Sequence, residues 1–178
     1  HFGQTDSREV LDPVVQRSVE LFCKAAGIDW EVEGIPVVTA DLLEPTRHKA
    51  IRRMTDKRIL GVVGEKWETM QNVEAFQTFF QPFLDAGTVL LETAGSLKQG
   101  SVVWGLGKII ADPIDVVPGD PIQSYVRLSY GFDGTMAYRP GFPRIREVCW
   151  NTVSASIADK ASKMIRLRHT ANAGDALK

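Results

Sequence analysis

The sequence predicts an α+β fold in one domain, 1–178: a mostly antiparallel β-sheet built from hairpins, with an N-terminal helix, a central amphipathic helix and a C-terminal helix. Three observations predict it. Apolar residues recur at helical spacing in "DPVVQRSVELFCKAAG" (12–27) and in "NVEAFQTFFQPFL" (72–84). Three pairs of strand-like runs are each joined by a short polar or glycine-bearing turn. The 178 residues, 44% hydrophobic and 24% charged, suit one soluble globular unit and are too few for two large ones.

The elements follow in order. Val14, Val15, Val19, Phe22 and Cys23 share a helical face, Asp12 precedes Pro13 as a candidate N-cap, and Gly27 ends the run. "IDWEVEGIPVV" (28–38) alternates Ile28, Trp30 and Val32 with Asp29, Glu31 and Glu33, the period of a half-buried strand. "HKAIRRMT" and "RILGVVGEKW" flank Asp56 and Lys57 as a hairpin. Past a polar turn near Thr69 and Asn72, the residues Val73, Phe76, Phe79, Phe80 and Phe83 form the core face of the central helix, which Gly87 ends. "TVLLETAGSL" and "SVVWGLGKII", joined by "KQG", make a second hairpin. "QSYVRLSYGF" and "TMAYRP", turning at Asp133 and Gly134, make a third. "IREVCW" is the last strand, and a helix from Asn151 turns Val153, Ile157, Ala161 and Met164 inward.

The same residues exclude several function classes. "GLGK" (105–108) lacks the earlier glycine and the Ser or Thr of a phosphate loop, and its glycines read as strand positions where another group approaches closely. His1, His48 and His169 lie apart, without metal-ligand spacing. Asp112, Asp115 and Asp120 sit in "ADPIDVVPGDP", which its prolines and glycine mark as a connection. No serine lies in a Gly-x-Ser-x-Gly elbow. Cys23 and Cys149 read as buried thiols. No apolar run is long enough for a membrane span and the first residues do not form a secretory signal, so the expected location is the cytoplasm and no membrane partner is expected. No catalytic set, metal or cofactor is predicted. A start at His1 without Met is expected of a piece of a longer chain.

The net charge of −1 conceals a division. Residues 1–126 carry 12 Lys or Arg against 18 Asp or Glu, whereas residues 127–178 carry 9 against 4. Inside the acidic part lies a basic island, Arg47, Lys49, Arg52, Arg53, Lys57 and Arg58, with Asp56 alone against it. Clustered cations create a field that a neutral total does not erase, and such fields suit polyanions. Further along, Arg127 lies between Tyr125 and Tyr130, Arg139 follows Tyr138, and Arg144 and Arg146 approach Trp150. Strand alternation puts Tyr125, Arg127 and Ser129 on one face and Val126, Leu128 and Tyr130 on the other, so Arg127 is expected to project beside Tyr125, with Tyr125 and Tyr138 as stacking platforms. Lys160, Lys163 and Arg166 form an outer stripe on the terminal helix, extended by Arg168.

Seven blocks carry a resemblance: "HFG", "AGIDWEVE", "LGVVGEKWETMQNVEAF", "LLETAGSLKQGSVVWGL", "GDPIQSYVRLSYGFDGTMAYR", "VCWNT" and "IRLRHT". In this order they resemble the phage and plasmid family named for the domain of unknown function 932, which implies a mobile-element protein acting in a bacterial host's cytoplasm. The family's Trp-His-Gly-Leu-Gly opening is reduced here to His1 and Gly3. A second resemblance covers 13–84, where a helix, Gly27, Trp30 and a β-β-β-α order are similar to the core of Rad52-like single-strand annealing proteins. That likeness implies a homo-oligomeric ring or filament holding single-stranded DNA in a basic groove.

The resulting expectation is a non-enzymatic single-stranded DNA-binding protein, with the cations named above on phosphates. The alternative is a mobile-element protein-binding module acting on a host factor. The acidic "DWEVEG" favours it, because that segment repels DNA.

Overall fold

A computed structural model describes residues 11–110, 114–117, 120–145, 167, 169–170 and 175. Its first predicted helix is two pieces, a 3-10 turn at Val15–Arg17 and the helix α1 at Val19–Ala25. Asp12 serves the first piece, its Oδ1 accepting from Val14 N at 2.7 Å. Ser18 is extended, with φ −120° and ψ 113°, and its hydroxyl accepts from Leu21 N at 3.4 Å. A serine that reads as mid-helix is thus the cap that splits the run, because its side chain competes with the helical backbone bonds. Val19, Phe22 and Cys23 are buried, but Val14, ahead of the break, is 65% exposed.

The strands β1 (Val32–Val38), β2 (Pro45–Arg53) and β3 (Ile59–Gly64) form a small antiparallel sheet in that order. Ile28, Trp30 and Val32 are buried between exposed Asp29 and Glu31, as the alternation predicts, yet pairing starts only at Val32, opposite Arg53. The helix α2 (Asn72–Asp85) buries Ala75, Phe76, Phe79 and Phe80 and half-buries Val73 and Phe83 at the margins of that stripe. Five strands make the second sheet: β4 (Val89–Leu97), β5 (Val102–Ile109), β6 (Ile114–Val117), β7 (Asp120–Gly131) and β8 (Arg144–Ile145). Their order is β4-β5-β7-β6, with β8 also on β7. The segment expected to be a plain connection therefore contains a strand. Pro113 and Pro118 bracket Ile114–Val117 in the sequence instead of interrupting it, and the third proline, Pro121, stands in β7 opposite Asp115.

Long β7 is the axis of this sheet. One edge pairs with β5 from Tyr125 to Gly131. The other edge takes β6, β8 and then the returning segment 138–143: Arg127 and Gly141 exchange backbone bonds of 2.8 and 2.9 Å, and Ser129 and Arg139 exchange bonds of 3.3 and 2.8 Å. The turn before that segment is at Asp133 and Gly134, as expected, with Asp133 Oδ1 accepting from Thr135 N at 2.9 Å. The last strand is described only to Ile145, and the expected helix from Asn151 lies outside the described residues. No helix among the described residues is long and apolar enough to cross a membrane.

The core lies between α1, α2 and the inner face of the five-stranded sheet. Val103, Leu91, Val126, Leu128 and Tyr130 face the helices, and Phe22 meets Phe76 at 6.3 Å between ring centroids. The "GLG" glycines are contact positions: a Cβ at Gly105 would overlap the Phe76 ring, and one at Gly107 would overlap Val89 and crowd Phe80. Burying the phenyl rings of α2 on this strand is what brings helix and sheet into register.

Two amides join the layers. Gln71, just before α2, receives Val32 N on its Oε1 and donates its Nε2 to Val32 O, both at 2.9 Å, and so acts as a strand partner for β1. Asn72, 1% exposed, donates Nδ2 to Trp30 O at 3.2 Å and accepts from the Tyr130 hydroxyl at 2.7 Å. Replacing Phe76 by Ala should lower the unfolding free energy by about 3–5 kcal/mol, and Gly105→Ala by about 1–3 kcal/mol. Because the new methyl would enter the space the ring vacates, the double variant measured by urea unfolding should lose clearly less than the sum.

Candidate nucleic-acid interface

The register of the small sheet decides what the basic island can do. Arg52 stands opposite Glu33 of β1, and the pair closes, with Arg52 Nε donating to Glu33 Oε1 at 2.9 Å and Nη2 at 2.8 Å from the same oxygen. Lys57 Nζ is 3.9 Å from that carboxylate. Arg53 holds Asp56 through two bonds, Nε to Oδ1 at 2.8 Å and Nη2 to Oδ2 at 2.6 Å, and its guanidinium lies over the Trp30 ring at 5.2 Å. Arg58 lies 3.5 Å from Asp56 and also reaches Gln99 Oε1 in the turn between β4 and β5. The guanidinium beside Asp56 holds its carboxyl well below the usual carboxylate range, and the same bond raises Arg53.

Four of the six island cations therefore sit in ion pairs with two carboxylates, and one of these, Glu33, comes from a strand distant in sequence. Arg47 and Lys49 have no acidic partner among the described residues. Both lie on one face of β2, two residues apart, with Arg47 exposed and Lys49 half-buried, its stem running over Gly34. Lys57 and Arg58 remain exposed at the opposite end of the hairpin, and Lys98 joins them from the 98–100 turn. Lys98 was absent from the sequence expectation. Its signal is a lysine at the tip of a three-residue hairpin turn, where Lys98 and Gln99 both take positive φ.

The aromatic partners expected on β7 are elsewhere. Tyr125 and Tyr138 are 5% and 1% exposed and cannot act as open stacking platforms. The alternation places Tyr125 and Arg127 on the same side as predicted, but that side is not bare: Trp104, Leu106 and Tyr125 form a second apolar cluster there, and Arg127 is 1% exposed. A period of two identifies faces and leaves open whether a face is covered, which is why Arg127 was expected at the surface. Tyr125 donates its hydroxyl to Glu92 Oε1 at 3.2 Å, and burial raises its pKa. Tyr138 accepts from Met70 N at 3.2 Å and pairs through its backbone with Leu167. Arg139 is half-buried. Arg144 is described in its backbone only, and Arg146, Lys160, Lys163, Arg166, Arg168, Trp150 and Cys149 lie outside the described residues. Burial pushes the Cys23 thiol up to about 12, which makes it inert near neutral pH.

One buried histidine, His169, packs against the body of the protein. His169 stacks on Trp67 at 4.3 Å and meets the Tyr138 ring tilted at 4.2 Å, and its Nε2 lies 3.0 Å from Met136 O. Its carbonyl accepts from Glu68 N at 3.1 Å. Desolvation lowers its pKa below the ordinary 6.5, so the neutral ring, donating to Met136 O, is the folded form.

The family model described as "Domain of unknown function (DUF932)" matches residues 59–178. No curated protein and no solved structure matches the chain. The matched span takes in β3, α2 and the five-stranded sheet. It begins after the cations of β2 and their turn, and after the "HFG" and "AGIDWEVE" blocks.

Because the unfolded chain protonates near pH 6.5 and folded His169 resists, the unfolded state binds more protons in the window just below that value, and stability should fall as the pH drops through it. Thermal melts between pH 7.5 and 5 should show this loss, and His169→Gln should flatten the dependence in that window.

Proposed function

The chain belongs to the domain of unknown function 932 family, and from that premise we propose that it is a single-stranded DNA-binding protein whose phosphate contacts come from the β2–β3 hairpin. The observation that carries this reading is the surplus of cations left after ion pairing. Four of the six island cations pair with two carboxylates, Arg47 and Lys49 keep their charge uncompensated among the described residues, and Lys57, Arg58 and Lys98 face solvent at the other end. Phosphate contacts need such cations, and need no nucleophile or metal. The ion pairs have a supporting role: Glu33 and Asp56 hold Arg52 and Arg53 in place between the two cationic ends of the hairpin. Assembly into a homo-oligomer and annealing of complementary strands belong to this reading through the helix, Gly27, Trp30 and β-β-β-α order.

A protein-binding module acting on a host factor is the second reading, and one observation favours it. On one face of the small sheet Val62, 53% exposed, and Ile59, 48% exposed, lie near half-buried Ile35, with buried Ala50 between Ile35 and Val62. Exposed apolar side chains such as Val62 and Ile59 suit a protein better than a polyanion.

Titration of a labelled single-stranded oligonucleotide at rising salt separates the two. Binding should weaken steeply with salt, and Arg47→Gln and Lys49→Gln should each reduce the log–log slope by about 0.7 while weakening all sequences alike. Asp56→Asn should strengthen binding by releasing Arg53 and Arg58. No binding at low salt would remove the nucleic-acid reading and leave the protein-binding one.

A further inference from the structure

The two most exposed large apolar side chains among the described residues stand side by side at a hairpin tip. Leu42 and Leu43, 70% and 71% exposed, lie in the turn between β1 and β2, and exposed Val38 borders them at the end of β1. Covering such side chains is favourable, so an open pair needs a reason. The turn that carries them is fixed. Thr39 N donates to Glu44 O at 2.9 Å, Leu43 N to Thr39 O at 3.1 Å, and Glu44 N to the Thr39 hydroxyl at 3.2 Å. Leu43 takes φ 55°, a left-handed conformation that suits Gly or Asn, so a leucine there is strained, and strain of this kind collects at working surfaces. The pair is thus presented to solvent from a rigid support.

The rim of the tip is acidic. Asp41 and Glu44 flank the leucines, and neither carboxylate meets a cation among the described residues. Hydrogen bonds from the Leu42 N–H and the Thr39 hydroxyl hold Asp41 below the usual carboxylate range, so it stays ionised. A nucleic acid or an anionic lipid surface is repelled by this rim, and the partner that fits offers apolar side chains edged with positive charge. The chain carries such a surface itself. Ile59 stands opposite Arg52, and Val62 opposite Ala50, so exposed Ile59 and Val62 share one face of the small sheet with Arg52. Glu33, opposite Arg52, lies on that face too, and Lys57 Nζ reaches it at 3.9 Å, so two cations there meet one carboxylate. The tip and the Ile59 end of this face lie at opposite ends of β2, which is nine residues long, and so on the order of 30 Å apart.

We propose that the 39–44 tip of one copy of this chain docks on the small-sheet face of the next, with Leu42 and Leu43 against Ile59 and Val62, and Asp41 and Glu44 toward Arg52 and Lys57. Two different surfaces meet, so each added copy leaves one tip and one face unused, and assembly proceeds head to tail until a ring closes or a filament extends. The inference supplies the contact for the self-assembly that belongs to the nucleic-acid reading. It also gives the apolar side chains that favour a protein partner a match within the chain itself. The contact forms without DNA, so its failure leaves the phosphate contacts of Arg47 and Lys49 standing, and failure to bind an oligonucleotide leaves the contact standing.

The test is sedimentation and light scattering of the full chain over a wide range of concentration, without nucleic acid. The mass should rise with concentration past that of a dimer. Leu42→Ser should weaken the association about 10- to 100-fold. Val62→Glu, which sets a negative charge against the acidic tip, should weaken it as well. Leu43→Gly should weaken it while the melting temperature holds or rises, because glycine accepts the left-handed position. The Leu42→Ser and Val62→Glu chains, each mainly monomeric, should pair one to one when mixed, since the first keeps its face and the second its tip. A chain that stays monomeric at every concentration overturns the proposal and leaves the tip to a partner of another kind. So does an association that stops at a dimer, one that Leu42→Ser and Leu43→Gly leave unchanged, or a mixture of the two variants that fails to pair.

Discussion

The amide of Asn72 is the point on which the two sheets and α2 are fixed together. Its two ends answer groups that have no other reason to meet: the carbonyl of Trp30, at the entrance to the small sheet, and the hydroxyl of Tyr130, on the axial strand of the large one. In a buried setting an amide left half-satisfied costs more than a neutral hydrogen bond contributes, so the arrangement tolerates little displacement of any of the three elements. Gln71 extends the same constraint by one residue, binding both backbone groups of Val32. The aromatic contacts then follow. With Tyr130 held, Phe132 lies 5.6 Å from it and 5.6 Å from Trp30, and Trp30 carries Arg53 above its ring. The hairpin that carries the island is thereby positioned by a side chain at the start of a helix whose main business is the other sheet.

That dependence alters how the charge of this chain should be understood. Along the sequence, Arg47 to Arg58 form a block with one acid; in space, Glu33 enters from β1 and the block divides into a neutralised centre and two cationic ends. Exposed pairs of this kind add little stability, but they hold long side chains in one place. The span matched by the family begins at Ile59, so it contains the fixed framework of Asn72, Tyr130 and Tyr138, whereas the cations of β2 precede it. Framework and charged surface thus come from different stretches of the chain.

Local order was legible where the pattern was local. The α2 stripe from Phe76 to Phe80, the hairpins about Asp56, "KQG" and Gly134, and the close-contact glycines of "GLG" all follow from spacing alone, because their partners are neighbours in sequence or lie on one face. What escaped depended on distant partners or on competition within a run. Ser18 caps a helix that hydrophobic periodicity alone would have carried straight through. Ile114–Val117 became a strand because β7 offers it an edge, despite the prolines at its borders. Arg127 was assigned correctly to a face, and its burial was invisible because no period reports what lies on top. Glu33 reads as an exposed strand residue until the register sets it opposite Arg52. The candidate site was accordingly less legible than the fold. Sequence marked the cations of the island, while register decided which of them meet a carboxylate among the described residues.

The edge strand β1 carries a last consequence. Pro36, opposite Lys49, has no N–H to offer a neighbour, and both backbone groups of Val32 are already taken by Gln71. An incoming strand would therefore find this border a poor template at its beginning and again at its middle. Copies of the chain are thus discouraged from zipping together edge to edge into fibrillar aggregates along β1. Along this border, contact between copies has to use side chains on the faces and turns, where charge and shape can limit the number of subunits, instead of an open ladder of backbone bonds that has no natural end.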